Sequence, residues 1–232
     1  MSRDLEKVLI LAKETTARSC LRRTLEAFGF DVGEATNGED ALRRMRMVDY
    51  EAILLECLMF GSDCAAVCKQ LRFLYPRLPI LVISANGSLI KKVAAFEAGA
   101  DDYMIRPFAQ RELAARLRSA IRRFHTPVNG TAECSVVGEI VLDPAKHRVE
   151  KAGSEVLLTP TEFRVLKLLM QQPGIPIPHS TLLAEIWGQE SIPTREHLRV
   201  VISTLRKKLE DDPSEPRYLT TKTHFGYCFG DC

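Results

Sequence analysis

The chain lacks long hydrophobic runs. Its longest apolar stretches, such as residues 8–12 and 79–83, are about five residues, far below the roughly 20 that span a bilayer as a helix. The N-terminus also lacks an apolar stretch long enough for a signal peptide. A membrane partner is therefore not expected, and a cytoplasmic location is. An excess of one charge is missing as well: 32 Lys+Arg against 30 Asp+Glu leave +2, so total charge names no partner. Seven cysteines are an odd number in a chain too large to need covalent staples, and free thiols in a reducing compartment are the simplest reading. No GxxxxGKS/T loop, no HExxH and no supportable Ser-His-Asp arrangement occurs. Neither an enzyme nor a bound cofactor or metal is expected. Hydrophobic residues make up 46% and charged residues 27%, an ordinary globular balance that excludes a disordered or fibrous chain. A length of 232 residues fits one large domain or two of about 100–120 residues.

Two rhythms divide the chain. In the first 124 residues, apolar runs at 8–12, 32–35, 52–55, 80–85 and 103–105 alternate with amphipathic stretches at 15–28, 38–48, 63–74, 88–98 and 110–123. Runs that are apolar throughout indicate strands covered on both faces by helices. Five β-α units of this kind predict a doubly wound, parallel α/β sheet, with its working site at the carboxyl ends of the strands. Periodicity stops at residues 125–134, which carry Pro127 and Gly130 and read as a linker. Residues 135–232 form a second, α+β domain. It has short β-like pieces at 135–142, 147–150 and 155–157, helices from Thr159, over 180–187 and over 194–209, and a closing hairpin at 218–221 and 227–229.

The last of these helices has two faces. At about 100° per residue, Leu198, Val201, Ile202, Leu205 and Leu209 form one apolar stripe. Val200, Ser203, Thr204 and Lys207 point the opposite way, flanked by Arg199 and Arg206. A polar, basic face of modest bulk suits the DNA major groove, where Arg and Lys bond guanine edges or phosphates and Val meets a thymine methyl. A solvated helix face is the alternative.

Motifs sharpen this reading. The stretch 157–166 (LLTPTEFRVL) resembles the entry to the first helix of the OmpR/PhoB winged-helix effector domain. LLAEIWG at 182–188, ISTLRKKLEDDP at 202–213 and FGYCF at 225–229 resemble its second helix, recognition helix and closing wing strand. His197-Leu198-Arg199 is closest to the KdpE-like branch. The resemblance implies a winged helix-turn-helix that binds promoter repeats in double-stranded DNA. Its recognition set would be His197, Arg199, Val200, Ser203, Thr204, Arg206 and Lys207, with Lys222 and Thr223 in the wing. Arg206→Ala would weaken binding to all DNA, and Arg199→Ala would relax base preference. Thr223 and His224 stand where the family often has Arg-Gly at the wing tip, leaving Lys222 as the nearby cation. Residues 188–193 match the family's polymerase-contacting loop, which makes RNA polymerase an expected partner.

The first half resembles a CheY-like response-regulator receiver, on YEAILLE at 50–56, LPILVISA at 78–85 and AGADDYMIRPF at 98–108. In that family an Asp ending the third strand takes a phosphoryl group, an acidic pair after the first strand holds Mg²⁺, and a Ser/Thr and a Lys clasp the phosphate. Here Ser84 and Tyr103 match the hydroxyl and switch-aromatic positions. Glu56 replaces the nucleophile, Ala12 and Lys13 replace the acidic pair, and Arg106 replaces the Lys. Mg²⁺ needs hard oxygen ligands, and neither replacement offers a carboxylate. Without the ion, charge developing on a transferring phosphoryl group loses its main stabiliser. Phosphoryl transfer is expected to be absent, with Glu56 standing in for a phosphorylated Asp or forming an inert bridge to Lys13 or Arg106.

The resemblance further implies a homodimer through the receiver's fourth helix, fifth strand and fifth helix. Lys92 would pair with Glu112 and Asp102 with Arg116 across the twofold. Asp101 or Glu97 would meet Arg118 or Arg123, around an apolar centre of Val93, Phe96 and Ala114. Two rival readings keep DNA binding as output. Cys57, Cys64 and Cys68 would form a thiol or soft-metal sensor, or the chain would be phosphorylated at a non-standard residue.

Overall fold

The computed structural model describes residues 5–57, 63–85, 87–125, 134–187 and 195–231; the side chains of 63 and 123–125 are not among the described ones. The chain divides into two compact units, residues 1–124 and 125–232. The expected linker falls largely on residues 126–133, outside the described residues.

The first unit is a βα repeat: β1 (Glu6–Leu11), α1 (Thr15–Ala27), β2 (Phe30–Ala35), α2 (Gly38–Met45), β3 (Ala52–Cys57), α3 (Asp63–Leu74), β4 (Ile80–Ser84), α4 (Leu89–Glu97), β5 (Asp102–Ile105) and α5 (Gln110–His125). The strands form one sheet in the order β2-β1-β3-β4-β5, every pair parallel. Val8, Leu9 and Ile10 are consecutive and all fully buried, because helices cover both faces of the sheet. Leu113, Leu117 and Ile121 of α5 recur at helical spacing and pack with Val8, Ile10 and Leu54 in one core.

The second unit opens with an antiparallel sheet of β6 (Ser135–Val137), β7 (Ile140–Asp143), β8 (Arg148–Lys151) and β9 (Ser154–Glu155). The single β-like run at 135–142 is in fact two strands. Gly138 turns the chain with φ +57°, and a Cβ there would meet the Tyr218 ring at 2.7 Å. Three helices follow: α6 (Pro160–Met170), α7 (His179–Trp187) and α8 (Arg195–Leu209). At the start of α6, Thr159 accepts from the Glu162 amide while the Glu162 carboxylate accepts from the Thr159 amide. Both orphan amides are thereby satisfied. A three-stranded sheet closes the unit in the order β10 (Ile177–Pro178), β12 (Gly226–Phe229), β11 (Leu219–Lys222). Strand β10 is too short to register as a periodic signal. Gly226 lets β12 approach it, since a Cβ would fall 1.8 Å from the Ile177 carbonyl oxygen. Trp187, Phe229, Leu198, Leu205 and Leu209 centre the core of this unit.

Candidate nucleic-acid interface and altered receiver pocket

Helix α8 buries Leu198, Val201, Ile202, Leu205 and Leu209, which leaves the opposite face open. On that face Arg199, Ser203 and Lys207 are exposed, and Val200, Thr204 and Arg206 are half-buried. The Thr204 hydroxyl donates to the Val201 carbonyl at 2.9 Å. The Arg206 guanidinium already has partners: it donates to the Leu219 carbonyl at 2.7 and 2.9 Å and to the Thr221 hydroxyl at 2.8 Å. Arg206 therefore ties α8 to β11. His197 also departs from the expected set. It is 3% exposed, its ring centroid 6.3 Å from that of Trp187, so it faces the core. The motif resemblance groups it with the DNA face, yet Val201, four residues on, places it at the flank of the buried stripe.

The wing is the β11–β12 hairpin. Lys222 is half-buried, and Thr223, His224 and Phe225 are exposed at the tip. His224 adopts φ +62°, the left-handed conformation that favours Gly, and so fills the place of the family glycine at some strain. Two residues that the sequence analysis does not single out lie beneath this surface, His179 half-buried and Tyr227 buried. His179 of α7 meets Tyr227 edge-on at 5.3 Å, and its imidazole is held below the ordinary value by burial and by Arg195 and Arg199. Burial pushes the Tyr227 phenol up, against the pull of Arg199 and Arg206. Burial is the larger cause of the His179 depression, and the two arginines act in the same direction.

In the first unit, the altered receiver residues lie at the carboxyl ends of β1, β3, β4 and β5. Ala12 is fully buried and Lys13 exposed. The turn after β1 is organised by a guanidinium: Arg18 donates to the Ala12 and Lys13 carbonyls at 2.8 and 2.9 Å. At the end of β3 the Glu56 carboxylate pairs with Arg106 at 2.7 Å, its side chain 5% exposed. The second carboxylate oxygen, Oε2, is buried without a hydrogen-bond partner among the described residues. Arg106 also lies 5.4 Å over the Phe108 ring. Ser84 and Tyr103 are buried, and the Tyr103 ring stands 6.4 Å from Phe96. Of the two cations proposed for Glu56, the structure places Arg106 on it and leaves Lys13 at the surface. A Mg²⁺ ion does not fit this donor set, since one carboxylate already holds a guanidinium and the position beside it carries an ammonium.

One of the pairs expected between subunits, Asp102–Arg116, is formed within the chain, and several of the other residues have partners of their own there. Asp102 accepts from Arg116 at 2.7 and 2.9 Å, both side chains 6% exposed. Glu112, one turn away on the same helix, holds Arg116 at 2.8 Å. Asp101 takes Arg72 at 2.7 Å and the Ile80 amide at 2.9 Å. Arg118 donates to the Phe28 carbonyl, lies 3.8 Å from Glu6 and covers the Phe30 ring at 5.1 Å. Phe96 and Ala114 are buried in their own unit and do not make an open apolar centre. Lys92 and Val93 are half-buried and Glu97 exposed; the side chain of Arg123 lies outside the described residues. The exposed apolar residues near this face are Leu89, Ile90 and Ile105, at 56%, 82% and 40% exposure.

The three candidate cysteines do not converge. Cys57 and Cys64 are bonded to each other, whereas Cys68 is buried and free, as are the exposed Cys20 and Cys134. The free-thiol reading is corrected for Cys57, Cys64 and Cys228, all three disulfide-bonded. Among the described residues no group of three or more His, Cys, Asp or Glu could hold a metal ion, and no helix is long and apolar enough to cross a membrane.

A five-stranded receiver followed by a winged helix defines a class, and comparison with known proteins names it. Residues 8–118 match the response regulator receiver domain family, and residues 153–229 match the family described as transcriptional regulatory protein, C terminal. The chain belongs to the response regulators of the OmpR/PhoB type, a family of transcriptional regulators. It is 36% identical to a probable transcriptional regulator ycf27 from Porphyridium aerugineum, over 97% of this chain and 95% of that one. It is 35% identical to the response regulator MprA from Mycolicibacterium vanbaalenii, over 95% and 96% respectively. A solved RitR mutant has the same fold, with a TM-score of 0.78 at 22% identity, covering 98% of this chain and all of that one.

Proposed function

We propose that this protein is a sequence-specific DNA-binding transcriptional regulator that works as a homodimer without aspartyl phosphorylation. The observation that carries the reading is the Glu56–Arg106 pair at 2.7 Å, with the Glu56 side chain buried and Arg106 half-buried. A carboxylate already neutralised by a guanidinium is a poor nucleophile, and the Ala12-Lys13 pair beside it leaves a divalent cation nothing to bind. Within the family the effector domain stands nearest the KdpE-like branch, the protein is not an enzyme, and it works in the cytoplasm. RNA polymerase is the proposed second partner, through residues 188–193, which lie outside the described residues. Leu89, Ile90 and Ile105 supply apolar surface for the receiver contact, and two winged helices held as a dimer read half-sites about one DNA turn apart.

Incubating the full chain with acetyl phosphate and Mg²⁺ is expected to leave it unlabelled and its sedimentation unchanged. A dimer should be seen at tens of micromolar without any phosphodonor. Label that raises DNA affinity would transfer the reading to a regulator phosphorylated at a non-standard residue. On the DNA side, Lys207→Ala is expected to reduce the slope of log affinity against log salt by about 0.9, one phosphate contact. A slope equal to that of the unmodified protein would remove Lys207 from the interface.

A further inference from the structure

Cys57 is the last residue of β3, next to Glu56, and Cys64 stands in the first turn of α3. Their sulfurs are bonded and their Cα atoms are 5.8 Å apart. That separation lies within the roughly 4.4–6.8 Å a disulfide spans. Cys57 is fixed in register opposite Ser84 of β4, and Cys64 is fixed by its helix. Both are half-buried, which leaves them within reach of a small reagent. Cys68, one turn further along α3, differs: it is 1% exposed, and burial pushes its thiol up to about 12. A thiol in that state is a poor nucleophile.

We propose that Cys57 and Cys64 are a reversible dithiol–disulfide pair whose substrate is a low-molecular-weight disulfide such as oxidised glutathione, giving the receiver a redox input one residue from the Glu56–Arg106 pair. The output of that input rests on the DNA-binding regulator proposed above. Starting from the reduced pair, the Cys64 thiolate is favoured by the N-terminus of α3. It attacks one sulfur of oxidised glutathione. The glutathione S–S bond breaks, and one glutathione thiolate leaves with the electron pair and takes a proton from solvent. Cys57 then gives its proton to solvent, and its thiolate attacks the Cys64 sulfur and expels the second glutathione. Two cysteine thiols are oxidised and one glutathione disulfide is reduced to two thiols; excess reduced glutathione reverses the exchange. The bond ties the carboxyl end of β3 to α3 immediately beside Glu56, and opening it releases that tie.

The test equilibrates the full chain across ratios of reduced to oxidised glutathione, quenches with acid, alkylates with iodoacetamide and maps each cysteine by peptide mass. Cys57 and Cys64 should lose and regain alkylation together, with one midpoint that Cys20→Ser and Cys134→Ser leave in place. Cys57→Ser and Cys64→Ser should each abolish that shared transition. Independent titration of the two, or full alkylation of both at every ratio, would overturn the proposal whatever the protein binds. In a second arm, DNA selected in vitro by the full chain is titrated with oxidised and reduced protein. Affinity should differ by about fivefold or more, the usual lower range for coupled sites, and the difference should vanish in Cys57→Ser. Equal affinities overturn the input. Failure to select any sequence counts instead against the regulator reading and leaves the alkylation result standing.

Discussion

Arg116→Ala is expected to lower the unfolding free energy of the receiver by about 3–5 kcal/mol, the cost of removing one partner from a buried ion pair. Asp102 and Arg116 are each 6% exposed and meet at 2.7 Å. Asp102 also accepts from the Tyr103 amide at 2.8 Å, so its carboxylate is fixed at the start of β5 and cannot turn out to water when Arg116 is lost. Burial works against the charged guanidinium, yet Asp102 and Glu112 hold its pKa above the ordinary value, which means that the cation is bound by its neighbours more strongly than it is penalised. Urea unfolding followed by circular dichroism measures the loss. The double variant Asp102→Leu with Arg116→Met should recover most of it, since an apolar pair of similar volume needs no compensating charge. A single variant within about 1 kcal/mol of the parent would show that the two charges contribute little.

Glu210→Ala should cost the winged-helix unit at least about 2 kcal/mol, because it strands two buried backbone donors, those of Tyr218 and Leu219, at about 1–3 kcal/mol each. Glu210 follows α8 and is 6% exposed. Its carboxylate accepts from the amides of Leu219 at 2.7 Å, Arg217 at 2.9 Å and Tyr218 at 3.0 Å, which lead into β11. Together with Arg206, which grips the Leu219 carbonyl from the same helix, it sets the recognition helix against the wing. The single Trp of the chain, Trp187, is buried in the core of this unit, so its fluorescence reports the transition directly. Glu210→Gln keeps one carbonyl acceptor and should lose about half as much. DNA affinity should fall further than in Lys207→Ala, since a displaced wing removes several contacts at once. A transition midpoint unmoved by Glu210→Ala would mean that the amides find water instead.

Residue identity alone settled much of this protein. The alternation of short apolar runs with amphipathic helices gave the βα repeat, because strand burial on both faces and the 3.6-residue period are local signals. The altered receiver pocket was also legible, since Ala12, Lys13, Glu56 and Arg106 fall at motif positions whatever their detailed geometry. The tertiary structure decided which groups are partners. Asp102 took Arg116 of its own chain, Arg206 took the carbonyl of Leu219, Cys57 took Cys64, and His197 turned inward to Trp187. The reason is physical: an ion pair, a disulfide or a buried ring depends on distances between residues far apart in sequence and on whether water reaches them, and no local period encodes either quantity.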